Sequence, residues 1–226
     1  MTRTPCVIAI DGPSGSGKST VSRGVAAALG LPVLDTGAMY RAVTLAALER
    51  AVPLDDELAC GALAQGLRID VEDGATTLDG RDVSAEIRGP EVTSAVSTIA
   101  AHPAVRKVLV DRQREWVARH GGGVIEGRDI GTVVFPDAPV KVFATASDQE
   151  RARRRQRDEA AAARAVDLDA VQADLARRDA LDSGRATSPL RPADDAVVVD
   201  TTNRTVDDVV AEILARVAHA NDAEVE

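Results

Sequence analysis

The chain has 226 residues and a formal net charge of −9, long enough for one sizeable core with small insertions. That charge argues against nonspecific nucleic-acid binding, which needs a basic field to release counterions. No apolar stretch is long enough for a signal or a membrane span, and Cys6 and Cys60 lack metal-ligand spacing, so a cytoplasmic protein with two small buried cysteines is expected.

Residues Met1-Thr2-Arg3-Thr4-Pro5 run directly into the apolar stretch Val7-Ile8-Ala9-Ile10, read as a first strand. It is followed by Gly12, Pro13, Ser14, Gly15, Ser16, Gly17, Lys18 and Ser19, which fit the phosphate-loop pattern, and Thr20 opens a run of helical spacing to Leu29. Glycines let the backbone curl until several N–H groups face one anion, and the helix adds its positive end. Lys18 is expected to reach the terminal phosphates of a nucleoside triphosphate, and the Ser19 hydroxyl to ligate Mg²⁺. A plain connector could share this composition, but a strand and a helix on either side disfavour it.

Past Gly30, read as a helix cap, Leu31-Pro32-Val33-Leu34 reads as a second strand. It leads through Asp35-Thr36-Gly37 into a helix from about Ala38 to Arg50, with Tyr40 and Arg41 near its start. Ligands of open α/β sheets sit beyond the carboxyl ends of strands, so this turn should face the phosphate loop. An irregular helical pattern from Pro53 to Leu67 gives way to alternation at Leu67–Val71, then Thr76–Leu78, then Arg81–Val83, separated by Asp73-Gly74 and Asp79-Gly80. Tight turns cannot join parallel neighbours, so these strands form a small antiparallel insertion.

Gly89-Pro90 precedes a helix to about Ala100, and His102-Pro103 separates it from another spanning about Ala104 to Arg119. Trp116 falls on the apolar stripe of the latter and reads as core, whereas His102 and His120 read as loop or solvent residues. A third parallel strand at Val124-Ile125 ends in Glu126-Gly127-Arg128-Asp129, and a fourth spans Val140–Ala144. Asp148–Arg157 is an arginine-dense helix that Ala160–Ala163 could extend or interrupt. Asp167 is placed to cap a helix to about Ala180; Ala196–Val199 is a fifth parallel strand, and Thr205 or Asn203 starts the last helix, to about Ala220. With only Trp116, Tyr40, Phe135 and Phe143 as aromatics, the core must be aliphatic.

The stretches Ile10–Ser19, Leu34–Arg41, Gly127–Ala138, and Arg177-Arg178-Asp179 through Asp182 and Arg185 to Ser188-Pro189-Leu190 resemble, in order, those of the bacterial cytidylate kinases, members of the P-loop nucleoside monophosphate kinases. The third stretch carries most of the specificity. The resemblance implies an α/β fold: a five-stranded parallel core in one domain spanning 1–226, a monophosphate-binding insertion near 38–105 and a helical lid near 148–168. It implies transfer of the ATP γ-phosphoryl group to CMP or dCMP, with Lys18, Mg²⁺ and arginines neutralising charge.

By the same resemblance Arg41, Arg128 and Arg185 grip the acceptor phosphate, Thr36 and Tyr40 lie beside it, and Arg154 and Arg157 close over the ATP phosphates. Asp129 accepts from the cytosine amine, Arg106 serves the ring nitrogen and carbonyl, and Ser97 adds a hydroxyl. Asp182, with Arg178 beside it, accepts from the ribose. Asp35 either holds a magnesium-bound water or caps its helix. A monomer that binds neither nucleic-acid polymers nor membranes is expected. The alternatives are a kinase for another small acceptor, such as UMP or dTMP, and a P-loop regulatory NTPase, for which the Asn-Lys-x-Asp signature is absent.

Overall fold

The computed structural model describes residues 6–72, 74–161 and 166–223. The lead-in Met1–Pro5, Asp73 of the expected first hairpin turn, and Ala162 and Ala163 of the alanine run lie outside them.

Strand β1 (Cys6–Asp11) is buried from Val7 onward, as a strand covered on both faces should be. Its chain turns through the glycine-rich loop into α1 (Lys18–Leu29), then β2 (Val33–Asp35) and α2 (Thr36–Glu49). Strand β2 starts later than its apolar pattern suggested. Gly30 is left-handed and Leu31 donates back to Ala26 O at 3.0 Å, closing α1, while Pro32 has no N–H to give. Helix α2 starts earlier, at Thr36, because the Asp35 side chain accepts from Ala38 N at 3.1 Å and caps it.

Next come α3 (Glu57–Gly66) and the antiparallel strands β3 (Ile69–Glu72), β4 (Ala75–Leu78) and β5 (Arg81–Asp82). Asp79 and Gly80 both take positive φ, which the second tight hairpin requires. Helices α4 (Pro90–Ala101) and α5 (Pro103–His120) each start on a proline, where the missing N–H costs nothing. Then come β6 (Gly122–Gly127), a single π-helical turn at Ile130–Val134, β7 (Val140–Thr145), α6 (Asp148–Ala161), α7 (Leu168–Ser183), β8 (Val197–Asp200) and α8 (Val206–Ala223). The expected caps hold: Asp167 accepts from Asp169 N and Ala170 N, and Thr205 accepts from Asp208 N.

All five strands of the main sheet are parallel, in the order β2-β6-β1-β7-β8. Alternate residues of β1 serve opposite layers: Ile8 and Ile10 pack with Val25 of α1 and Ile213 of α8, while Val7 and Ala9 pack with Val43 of α2, Leu109 of α5 and Trp116. The carboxyl ends of β1, β2 and β6 therefore meet on one edge, with the phosphate loop between them.

Some side chains depart from expectation. Cys60 is buried, but Cys6 at the start of β1 is partly exposed. Trp116 is core, as expected, and its Nε1 also donates to Val71 O at 3.2 Å and Glu72 Oε1 at 3.1 Å, tying α5 to β3. His120 is not a plain solvent residue: it stacks on Trp116 with ring centroids 4.0 Å apart and faces Glu72 at 3.3 Å. His102 places Nε2 2.8 Å from Leu54 O, tying the α4–α5 junction to the segment ahead of α3. Among the described residues no helix is long and apolar enough to cross a membrane.

Candidate active site

The phosphate loop leaves β1 at Gly12, whose φ is +147 and where a Cβ would lie 2.0 Å from Ala144 O; only glycine passes there. Gly17, at φ +85, ends the loop as the N-terminal cap residue of α1. Lys18 folds back over the loop and donates from Nζ to Pro13 O at 2.7 Å. Burial, and then the nearby Arg128, hold its pKa well below the usual lysine value. The Ser19 hydroxyl donates to Glu126 Oε2 at 2.8 Å.

Glu126 is a residue that sequence reasoning passed over. It is the penultimate residue of β6, opposite Asp35 of β2, and burial followed by the Asp35 charge pushes its carboxyl upward. The available signal was an acid at the carboxyl end of a fully buried central strand. Thr36 donates its hydroxyl to Glu126 O at 2.7 Å, and Asp35, besides capping α2, accepts from Arg88 Nη2 at 3.3 Å. Ser19, Asp35 and Glu126 make a compact oxygen-rich corner beside Lys18, a donor set suited to a hard cation that keeps several waters. No cluster of three or more His, Cys, Asp or Glu able to hold a metal by itself exists among the described residues.

Opposite the loop lies an arginine-rich wall. Arg41 on α2 donates to Ile87 O at 3.0 Å and Thr93 Oγ1 at 2.8 Å; burial brings its pKa down to about 9. Arg128 donates from Nε to Asp182 Oδ2 at 3.0 Å, and Arg185 holds the other oxygen of the same carboxylate. Burial alone would raise the Asp182 carboxyl, but Arg128 and Arg185 outweigh it and hold it below the usual range. Arg178, expected beside Asp182, also reaches the loop, 3.3 Å from Ser14 Oγ, and burial lowers it to about 10.

Deeper in, Arg106 of α5 pairs with Asp129, both side chains being 6% exposed. The guanidinium lies 5.6 Å from the centroid of Tyr40, whose phenol burial pushes up to about 12. Burial raises the Asp129 carboxyl, opposed first by Arg106 and then by Arg185. Ser97, which could have faced solvent, is buried on the wall of the same space with Val96 and Ala100.

Helix α6 lies beside the phosphate loop. Arg154 donates to Glu150, Thr201 Oγ1 and Thr201 O at 3.0, 2.8 and 2.8 Å, and its Nη1 lies 3.1 Å from where a Gly17 Cβ would be. Arg157 is 71% exposed and pairs with Glu150 at 3.3 Å. Two members of the arginine run that sequence reasoning did not choose are closer in. Arg151 donates to Ser14 O at 3.1 Å and pairs with Asp179 of α7 at 2.6 Å, and Arg155 lines the cavity and pairs with Glu159 at 2.5 Å.

All the expected site residues outside the loop line a single cavity of about 360 Å³; within the loop, Gly12, Pro13 and Ser16 do not. A phosphate loop at the carboxyl edge of a parallel sheet, opening on a cavity walled by arginines, defines the class as a P-loop kinase. The fold agrees with that of a solved gluconokinase from Sinorhizobium meliloti, at TM-score 0.53 and 18% identity, covering 99% of this chain and 98% of that one.

The particular family follows from sequence. The model of the cytidylate kinase family matches residues 8–219. Curated cytidylate kinases from Mycolicibacterium paratuberculosis and Corynebacterium glutamicum are 56% and 51% identical to it, over 90% and 92% of this chain and 91% and 92% of their own. The chain belongs to the cytidylate kinase family.

Proposed function

We propose that this chain transfers the γ-phosphoryl group of ATP to CMP or dCMP, forming ADP and CDP or dCDP. The observation that carries this reading is the buried Arg106–Asp129 pair, which lies in the same cavity as the phosphate loop. A carboxylate beside a guanidinium offers an acceptor for the exocyclic amine of cytosine and donors for its ring nitrogen and carbonyl. Uracil presents a carbonyl and an N–H at those positions, and so meets the wrong partners.

On the donor side, loop N–H groups and Lys18 hold the ATP phosphates, with Nζ exchanging Pro13 O for a phosphate oxygen. Ser19 would ligate Mg²⁺ and Asp35 would hold one of its waters; when bound, the ion neutralises charge developing on the transferring group. On the acceptor side, Arg41, Arg128 and Arg185 clasp the monophosphate beside Thr36 and Tyr40. Asp182 keeps lone pairs free for the sugar hydroxyls, since a carboxylate offers about four acceptor directions. Ser97 adds a hydroxyl at the base, and Arg178 bridges the phosphate loop and the sugar side.

An acceptor oxygen attacks the γ-phosphorus in line, so positioning and charge neutralisation supply the catalysis. Residues near 38–105 form the acceptor-binding insertion. Those near 148–168 form a lid that brings Arg154 and Arg157 over the ATP phosphates and excludes water, suppressing hydrolysis. Arg154 already lies against Gly17, which supports its part in closure. The chain acts as a cytoplasmic monomer, with no nucleic-acid or membrane partner.

Coupled ADP formation with ATP and Mg²⁺, comparing CMP, dCMP, UMP, dTMP, AMP and no acceptor, tests the reading. Strong preference for CMP and dCMP is expected. Preference for another acceptor, or equal turnover without one, overturns the base-pocket roles.

A further inference from the structure

Asp11 is the last residue of β1, directly ahead of the phosphate loop, and its side chain does not line the cavity. It is 5% exposed, yet it does not contact the loop's phosphate-facing groups by hydrogen bonding. Instead its two oxygens accept from the successive backbone N–H groups of Ile130 and Gly131, each at 2.8 Å.

Those two residues open the π-helical turn Ile130–Val134, and Asp129 is the residue just before it. A helical turn leaves its first N–H groups without internal partners. This one has no side-chain cap of its own, so a carboxylate at the end of the neighbouring strand β1 supplies both acceptors. Asp129 itself stands at φ −147 and ψ 27, belonging to neither strand nor helix, so no regular ladder sets the direction of its side chain. Behind it, Ile130 packs where a Gly127 Cβ would lie 2.6 Å from its Cδ1, which leaves the turn no room to slide toward β6. π-helical turns are rare and concentrate at functional sites, consistent with a turn held in place rather than one that forms freely.

We infer that Asp11 is a positioning residue for base discrimination: by holding the Ile130 and Gly131 amides it aims Asp129 at the cytosine amine. The inference rests on the proposed role of Asp129 at the base. It links the donor strand to acceptor choice, since the same residue that leads into the phosphate loop sets the base-reading carboxylate.

The experiment measures kcat/KM for CMP and for UMP in the wild type, D11N, D129N and the double variant. In D11N one amide oxygen still accepts, but the other position becomes a donor facing an N–H. The expected result is a fall of about tenfold in the CMP/UMP ratio, the size of one lost charge-assisted hydrogen bond. That fall is carried by the KM for CMP, while the KM for ATP stays within about twofold. In the D129N background, D11N changes the ratio by less than about twofold, because the two act in series.

An unchanged ratio in D129N overturns the reading of Asp129 itself. A ratio lost in D129N but kept in D11N, or a D11N that slows both substrates equally, overturns only the role of Asp11. D11S serves as the second variant. If neither Asp11 variant folds, by far-UV circular dichroism in the cold, the residue is a strut of the sheet and the inference is overturned.

Discussion

Replacing Arg106 by Met probes the base pocket most directly, because it removes the main partner of a buried carboxylate while keeping most of the volume. Both side chains of the pair are 6% exposed, so no water shell takes the guanidinium's place. Burial already raises the Asp129 carboxyl, and Arg106 is the strongest of the groups opposing that rise. Without it the carboxyl is pushed further up toward its neutral form, whose O–H faces the cytosine amine donor to donor while it suits the uracil carbonyl. A charge-assisted hydrogen bond contributes about 1.5–3 kcal/mol, so kcat/KM for CMP should fall about 10- to 150-fold, with UMP losing less. The CMP/UMP ratio therefore drops.

The pH dependence has a definite sign. A carboxyl of raised pKa is neutral at low pH and regains its charge as pH rises, so the variant's ratio should recover over the range of pH in which the carboxyl ionises. Breaking a buried pair usually costs about 3–5 kcal/mol of stability; neutralisation of Asp129 should limit this to about 1–3 kcal/mol, including the lost contact with Tyr40. Coupled ADP assays across that pH range, with urea denaturation alongside, check both parts. A ratio unchanged at every pH would refute the reasoning.

Removing the Ser19 hydroxyl in S19A should raise the Mg²⁺ concentration for half-maximal activity by about tenfold or more and lower kcat, while binding of metal-free nucleotide stays within about twofold. A magnesium titration that matches the wild type removes Ser19 from the metal site. Asp11 also makes a stability prediction. Its carboxyl rises from 3.8 to about 6, chiefly by burial, so between those pH values the folded chain holds more protons than the unfolded one. Stability of the nucleotide-free protein therefore loses about 3 kcal/mol from this residue as pH rises through that window. The advantage of wild type over D11N in urea should shrink by a similar amount between about pH 4 and about pH 6; parallel profiles would contradict the assignment.

Much of the site was legible because local rules and strand ends coincide. The phosphate loop sits between a buried strand and a helix, its glycines are needed for backbone curvature, and Asp35 ends β2 while Arg128 and Asp129 follow β6, strands whose ends point to one edge. Glu126 and Asp11 were hidden by the same logic. An acid at a strand end reads as a cap or a surface residue until the partner strand is known, and the partners here are Ser19 and the amides of Ile130 and Gly131. The arginine run of α6 was ambiguous because helical spacing alone does not say which face meets the loop. Arg151 and Arg155 turn inward, whereas Arg157 remains mostly in solvent.

By itself, then, the sequence determined what is encoded within a few residues: the anion-binding loop, the alternation and tight turns of the small antiparallel sheet, the breaks before two helices at Gly89-Pro90 and His102-Pro103, and the cap at Asp167. Tertiary structure alone decided the strand order β2-β6-β1-β7-β8, the π-helical turn after Asp129 and the pairing of Arg106 with Asp129. Those depend on groups far apart in the chain meeting in a region shielded from water. There a charge or an amide must find a partner, and local propensity has no means of naming it.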